Sequence, residues 1–327
     1  MFKMLLLLVL TAPLSTLALA QTQAQAQGSG QTKTFCAVKS FIGIEIRNSA
    51  EFKALTCGDL VSTFETAFQK VQNISPVDLS ETLLVIYNQE LPKGSRYSWV
   101  TSTVTMDVAD LSLLEKQVSV FYHEIGHKIY FEALAATVPE IAERRVGLND
   151  YVAQLKVCAK AGSFVGCPPT EVMGDLVALN QAFSADFRKF LYIDTPYNEL
   201  FADVVAALAA EDPNAIAKTM SECSMSDPAC EYRAFSKNTI DKFAGENTHS
   251  RFASIRRDLW EGWVGPRLAN KSQLLTDLAA LFVSESFSNW EADYALIEGM
   301  SALKQIKRLR VLLDLKVTES PTLKYAL

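Results

Sequence analysis

The sequence predicts an α+β protein: a small mixed N-terminal lobe of a few strands and a helix, followed by a mainly helical C-terminal lobe. Three observations lead to this. Between residues 41 and 108 apolar residues alternate as in strands, with one helical stretch between them. From residue 112 onward apolar residues are mostly spaced three and four apart. Between these regions lies FYHEIGHKIY, 121 to 130, which holds two of the three histidines in the chain.

The first twenty residues read as a signal peptide. Lys3 supplies a positive start, MLLLLVLTAPLSTL an apolar run, and Ala18-Leu19-Ala20 a cleavage site. Pro13 breaks the run, and no later stretch reaches eighteen apolar residues, so no stable membrane insertion is expected after cleavage. No cysteine follows the cleavage point to carry a lipid. The expected destination is the periplasm or the exterior. Residues 21 to 34, QTQAQAQGSGQTKT, read as a disordered linker, which leaves 35 to 327 as the folded domain. The net charge of −6 argues against a nucleic-acid partner. Six cysteines in an exported chain read as disulfides, and sequence proximity favours Cys36–Cys57, Cys158–Cys167 and Cys223–Cys230.

In order, FIGIEIR (41 to 47) reads as a strand, DLVSTFETAFQKV (59 to 71) as an amphipathic helix, and TLLVIY (82 to 87) as a buried strand. YSWVTSTVTMDV (97 to 108) reads as one strand, with Val100, Val104, Met106 and Val108 on one side, and is a candidate sheet edge for an extended peptide. Ser112 and Glu115 have the spacing of a capping box, with Asp107 and Asp110 before them, and the helix they open runs without proline to Pro139. Beyond it, 157 to 169 reads as a loop and 218 to 248 as polar and turn-rich. Helices are expected at 171 to 191, 195 to 213, 249 to 260, 274 to 287 and 295 to 315. Lys304, Lys307, Arg308 and Arg310 read as a solvated helix face.

On the helix through 121 to 130, His123 and His127 are four apart. At about 100° per residue they leave the same face, roughly 40° apart. Glu124 lies about 100° round from His123, close to a metal's water rather than among its ligands. Gly126 carries no side chain and admits a close approach. Two neutral imidazoles, a third donor and an open position are the features of a catalytic zinc site of the H-E-x-x-H kind. The third ligand has candidates in His249 and in Asn198-Glu199-Leu200-Phe201-Ala202-Asp203. Glu199 and Asp203 share one helical face: Glu199 would bind the metal, and Asp203 would accept the Nδ1 proton of a ligand histidine. Ala202 beside them lets two helices pack closely.

HEIGH followed by E-x-x-A-D resembles the gluzincin zinc metallopeptidases, and within them the group of CAAX-prenyl and heat-stress proteases. The resemblance implies a zincin-like metallopeptidase domain with His123, His127 and Glu199 on zinc, Glu124 as general base and Asp203 supporting a histidine. Thr248-His249-Ser250 with Arg256 and Arg257 is a loose match to that group's T-H-P and downstream arginine. This implies His249 as an oxyanion stabiliser, with Tyr197 a second candidate. The chain departs from the pattern in a long insert between His127 and Glu199, in lacking membrane helices, and in Lys128, where an uncharged residue is typical. The expectation is an exported zinc metallopeptidase acting on a protein or peptide. The alternatives are a zinc-binding domain without turnover that recognises a cell-envelope or surface partner, and a helical protein with an accidental motif.

Overall fold

The computed structural model describes residues 31–89, 94–99, 101–139, 153–154, 157, 185–219, 232–239, 248–293 and 297–315. These belong to one compact unit, Gln31–Leu327. The expected signal peptide, Cys158–Cys167, Cys223–Cys230, the loop 158 to 169 and most of the helix 171 to 191 lie outside the described residues.

The alternating segments form one five-stranded mixed sheet in the order β1-β2-β3-β5-β4. The strands are β1 (Thr32–Cys36), β2 (Gly43–Asn48), β3 (Leu83–Asn88), β4 (Arg96–Ser98) and β5 (Thr103–Asp107). β2, β3 and β5 run parallel, and the two edge strands β1 and β4 are antiparallel to their neighbours. Ile44, Ile46, Leu84, Ile86, Val104 and Met106 alternate along the three central strands and enter the hydrophobic core. Each such side chain contributes roughly 1.5–3 kcal/mol on burial. Helix α1 (Cys57–Ile74) connects β2 to β3 and adds Leu60, Phe64, Phe68 and Val71 to the same core. Thr56 and Asp59 form its capping box.

Two expectations in this region are corrected. The tail of the supposed linker is β1, and the Cys36–Cys57 disulfide joins the end of that strand to the start of α1. The polar composition of 31 to 34 hid a strand because it is an edge strand with exposed side chains. The single strand read at 97 to 108 is two strands, β4 and β5, paired antiparallel with Tyr97 opposite Val104. Ser102 breaks the run with a φ of 48°, which alternation does not reveal. The sheet edge is therefore β4.

The helices follow. Asp110 caps a 3-10 turn, Leu111–Leu113, by accepting from the Ser112 backbone N–H at 2.8 Å. It takes the place of the expected Ser112–Glu115 box, and the turn leads directly into α2 (Leu114–Thr137). Helix α3 (Ala185–Ala210) runs straight through Pro196, where two helices were expected. Pro196 follows Thr195, whose hydroxyl donates to Leu191 O at 2.7 Å, and the next turn is held by the burial of Tyr197, Leu200 and Phe201. α4 (Ala215–Thr219), α5 (Arg256–Leu259), α6 (Lys271–Asp293) and α7 (Ile297–Leu312) follow, and the helix expected at 249 to 260 is instead the 3-10 turns Thr248–Ser250 and Ala253–Ile255 leading into α5. In the basic cluster on α7, Lys307 and Arg308 are exposed and Lys304 half-buried, as expected of a solvated face, with Arg308 paired to Glu285; Arg310 is the exception, buried and donating to Asp258 at 2.9 Å. One continuous core joins the sheet, α1, α2, α3, α6 and α7, so the two expected lobes share an interior. None of the described helices is long and apolar enough to cross a membrane.

Candidate metal centre

Helix α2 carries the histidine pair through the middle of the molecule, with Phe121, Ile125 and Ile129 in the core and His123 and His127 on another face. Helix α3 packs against that face. Gly126 makes this possible: a Cβ there would sit 2.6 Å from Ala202 Cα. The close approach brings Glu199 and Asp203, one turn apart on α3, onto the histidines.

The donor atoms converge. His123 Nε2 and His127 Nε2 are 3.1 Å apart. Glu199 Oε2 lies 3.3 Å from the first, and its Oε1 lies 3.7 Å from the second. Donors about 2.1 Å from a tetrahedral ion stand about 3.4 Å from one another, so the spacing fits. The tautomers fit as well. His123 Nδ1 is 2.9 Å from Asp203 Oδ1, and His127 Nδ1 is 2.8 Å from Asn198 Oδ1. Each acceptor is placed to hold a proton on Nδ1, so that each Nε2 faces the same point as the donor a metal would take. Glu199 Oε2 is buried and receives no well-directed hydrogen bond among the described residues. Two such nitrogens beside a carboxylate need a positive charge between them, which a proton or a metal ion can supply. His123, His127 and Glu199 are a group that can hold a metal ion.

The charges support this. Burial opposes charge on His123, but the Asp203 and Glu199 carboxylates outweigh it and raise its pKa to about 9. Burial pushes His127 down to about 4. The pair thus holds one positive charge, which a bound cation would replace. Burial also opposes the Glu199 charge, yet the surrounding histidines hold its pKa well below the usual range. Glu124 behaves differently: burial pushes it up to about 7. Its carboxyl accepts a hydrogen bond from the backbone of Tyr97 on β4.

These groups line a cleft of about 720 Å³, bounded by β4, α2, α3 and the turn Thr248–Ser250. His249 stands on that turn, partly exposed, with Nδ1 2.7 Å from Glu199 Oε2. Arg256 ties the turn to the site, with Nη1 2.8 Å from Asp203 Oδ2 and Nη2 donating to His249 O at 3.2 Å. Of the two arginines noted with His249, Arg257 instead sits beside Asp258, at 3.8 Å. Tyr197 is excluded from the cleft, because it is fully buried against Phe252 and Phe282 with its hydroxyl accepting from Asn289.

Two residues of the site were not anticipated. Asn198 was read only as part of its motif, and its place just before Glu199 was the available signal. Arg233 falls in the stretch read as polar turns, and nothing local marks it. Its guanidinium pairs with Asp203 and lies 3.2 and 3.3 Å from the two His123 ring nitrogens. Three carboxylates (Glu124, Glu199, Asp203) thus face two guanidiniums (Arg233, Arg256) and the one charge of the histidine pair, whose place a bound cation would take. No protein-family model matches this chain, and no curated protein or solved structure matches it either.

Proposed function

We propose that the protein is an exported zinc metallopeptidase of gluzincin type with a zincin-like fold. The observation that carries this reading is the convergence of both Nε2 atoms and the Glu199 carboxylate beside a buried glutamate in an open cleft. Two imidazoles and one carboxylate are a donor set suited to zinc. Bound there, zinc would act as a Lewis acid on a carbonyl and lower the pKa of water to about 7.

The chain's own residues supply the rest. Asp203 and Asn198 fix the tautomers of His123 and His127. Glu124, with its pKa raised to about 7, is suited to take a proton from water and return it to the leaving amine. His249 borders the cleft beside Glu199, where it can donate to a developing oxyanion. The edge strand β4 offers main-chain groups to an extended peptide. Export is supported by the leader-like N-terminus and the Cys36–Cys57 disulfide.

The test is Glu124→Gln, measured for zinc content and for hydrolysis of a peptide library. One zinc per chain with hydrolysis lost is the expected result. Undiminished turnover would end the mechanism. Zinc without turnover in the unaltered protein would favour the non-catalytic binding domain.

A further inference from the structure

Lys128, the charged residue directly after the second histidine, has no role in the chemistry above. Its side chain is nevertheless buried, at 3% exposure. Burying an ammonium costs several kcal/mol unless it is well partnered. Here Nζ donates to the hydroxyl of Ser102 at 2.6 Å, with Glu132 Oε1 at 3.8 Å. Ser102 is the positive-φ residue that leads into β5, and its carbonyl accepts from the Leu83 backbone N–H of β3 at 3.0 Å. What the lysine adds is a directional tie from the metal helix to one point of the β4–β5 hairpin.

That tie belongs to a series. Glu124, Lys128 and Phe131 lie within about 60° of one another on α2. Glu124 meets the backbone of Tyr97, Lys128 meets Ser102, and Phe131 packs on Tyr97 and Trp99 with centroids 6.3 and 6.0 Å away. β4 itself is three residues long and pairs only with β5 among the described strands. So short an edge strand has few ladder bonds to hold it, and its side-chain anchors decide where it stands.

We propose that Lys128 is a positioning residue for substrate: it fixes the β4–β5 hairpin to the metal helix, so that the edge strand stands at a set distance from Glu124 and the histidine pair and can seat an extended peptide there. The substrate part of this inference rests on the peptidase reading, while the tether does not.

The experiment compares the unaltered protein with Lys128→Met and Ser102→Ala. Each is measured, zinc-loaded, by hydrogen exchange and by kinetics on a fluorogenic peptide library. In both variants exchange in 96 to 103 should rise about tenfold, the factor for one lost hydrogen bond to a charged group. Exchange in α2 around 118 to 127 and the zinc content should hold. KM should rise by a similar factor with kcat nearly unchanged. Ser102→Ala keeps the lysine and removes only a hydroxyl, so it serves even where Lys128→Met folds poorly. Unchanged exchange at 96 to 103 in Ser102→Ala overturns the tether, whatever the activity. Raised exchange with kcat lost and KM unchanged overturns the positioning role. Raised exchange in a protein without turnover keeps the tether and removes the peptidase reading instead.

Discussion

Gly126 on the metal helix and Ala202 on α3 touch backbone to backbone: a Cβ added to Gly126 would lie 2.6 Å from Ala202 Cα and 3.1 Å from Ala202 O. This contact joins the two halves of the site. Glu199 is one turn before Ala202 and Asp203 directly follows it, so the spacing of the helices sets the distance from carboxylates to histidines.

Gly126→Ala should therefore separate the helices. The obstacle is backbone, which cannot rotate away. A loss of about 1–3 kcal/mol is expected from overpacking. Zinc should also bind more weakly, because the Glu199 and His123 donors move apart. Thermal unfolding with and without zinc measures both effects. Unaltered stability and affinity would mean that the helices pack less closely than described.

Asn198→Ala should weaken metal binding while leaving one site per chain at saturating zinc. The variant removes the acceptor that holds the His127 Nδ1 proton at 2.8 Å. Loss of such a partner typically costs 10- to 100-fold in affinity, so a shift of that order is expected in competition with a chelator.

Asp194, which does not line the cleft, gives a pH signature of its own. Burial raises its pKa from 3.8 to about 6, although the Tyr130 hydroxyl donates to it at 2.6 Å. The folded state therefore holds the proton more tightly than the unfolded state. Its contribution favours folding below about pH 4, is lost as pH rises through about 6, and is constant above that. The change corresponds to roughly 3 kcal/mol. Asp194→Asn should flatten the difference in unfolding free energy between pH 4 and 7, measured against the unaltered protein by urea denaturation at several pH values. Parallel curves for the two proteins would place the titration elsewhere.

Opening the Cys36–Cys57 bridge should cost about 3 kcal/mol, the chain-entropy value for a loop of 21 residues' separation. Cys36→Ser with Cys57→Ser, compared by denaturant midpoint, measures it. The loss should loosen β1 first, because that strand is an edge and the bridge ties its end to α1.

The local sequence determined a good deal here. Period-two alternation located β2, a short continuous apolar run located β3, and spacings of three and four located α1 and α6, because these patterns follow from which side chains a backbone geometry buries. H-E-x-x-H paired His123 with His127, and E-x-x-A-D paired Glu199 with Asp203, for the same reason: residues four apart on a helix share a face whatever surrounds it, while the joining of the two pairs rested on the resemblance to the gluzincins. The tertiary structure decided what depends on packing between distant segments. It continued α3 through Pro196 because buried side chains on both sides outweigh one missing hydrogen bond. It turned Tyr197 into the core, and split residues 97 to 108 at Ser102. It placed Arg233 against Asp203 and His123, and Arg256 between Asp203 and the His249 turn, since a buried carboxylate takes its counter-charge from whatever cation the fold brings near. It also gave Lys128 a partner in Ser102, 26 positions earlier. A helix face can be read from spacing, but the identity of what meets that face is set by the chain's path through space.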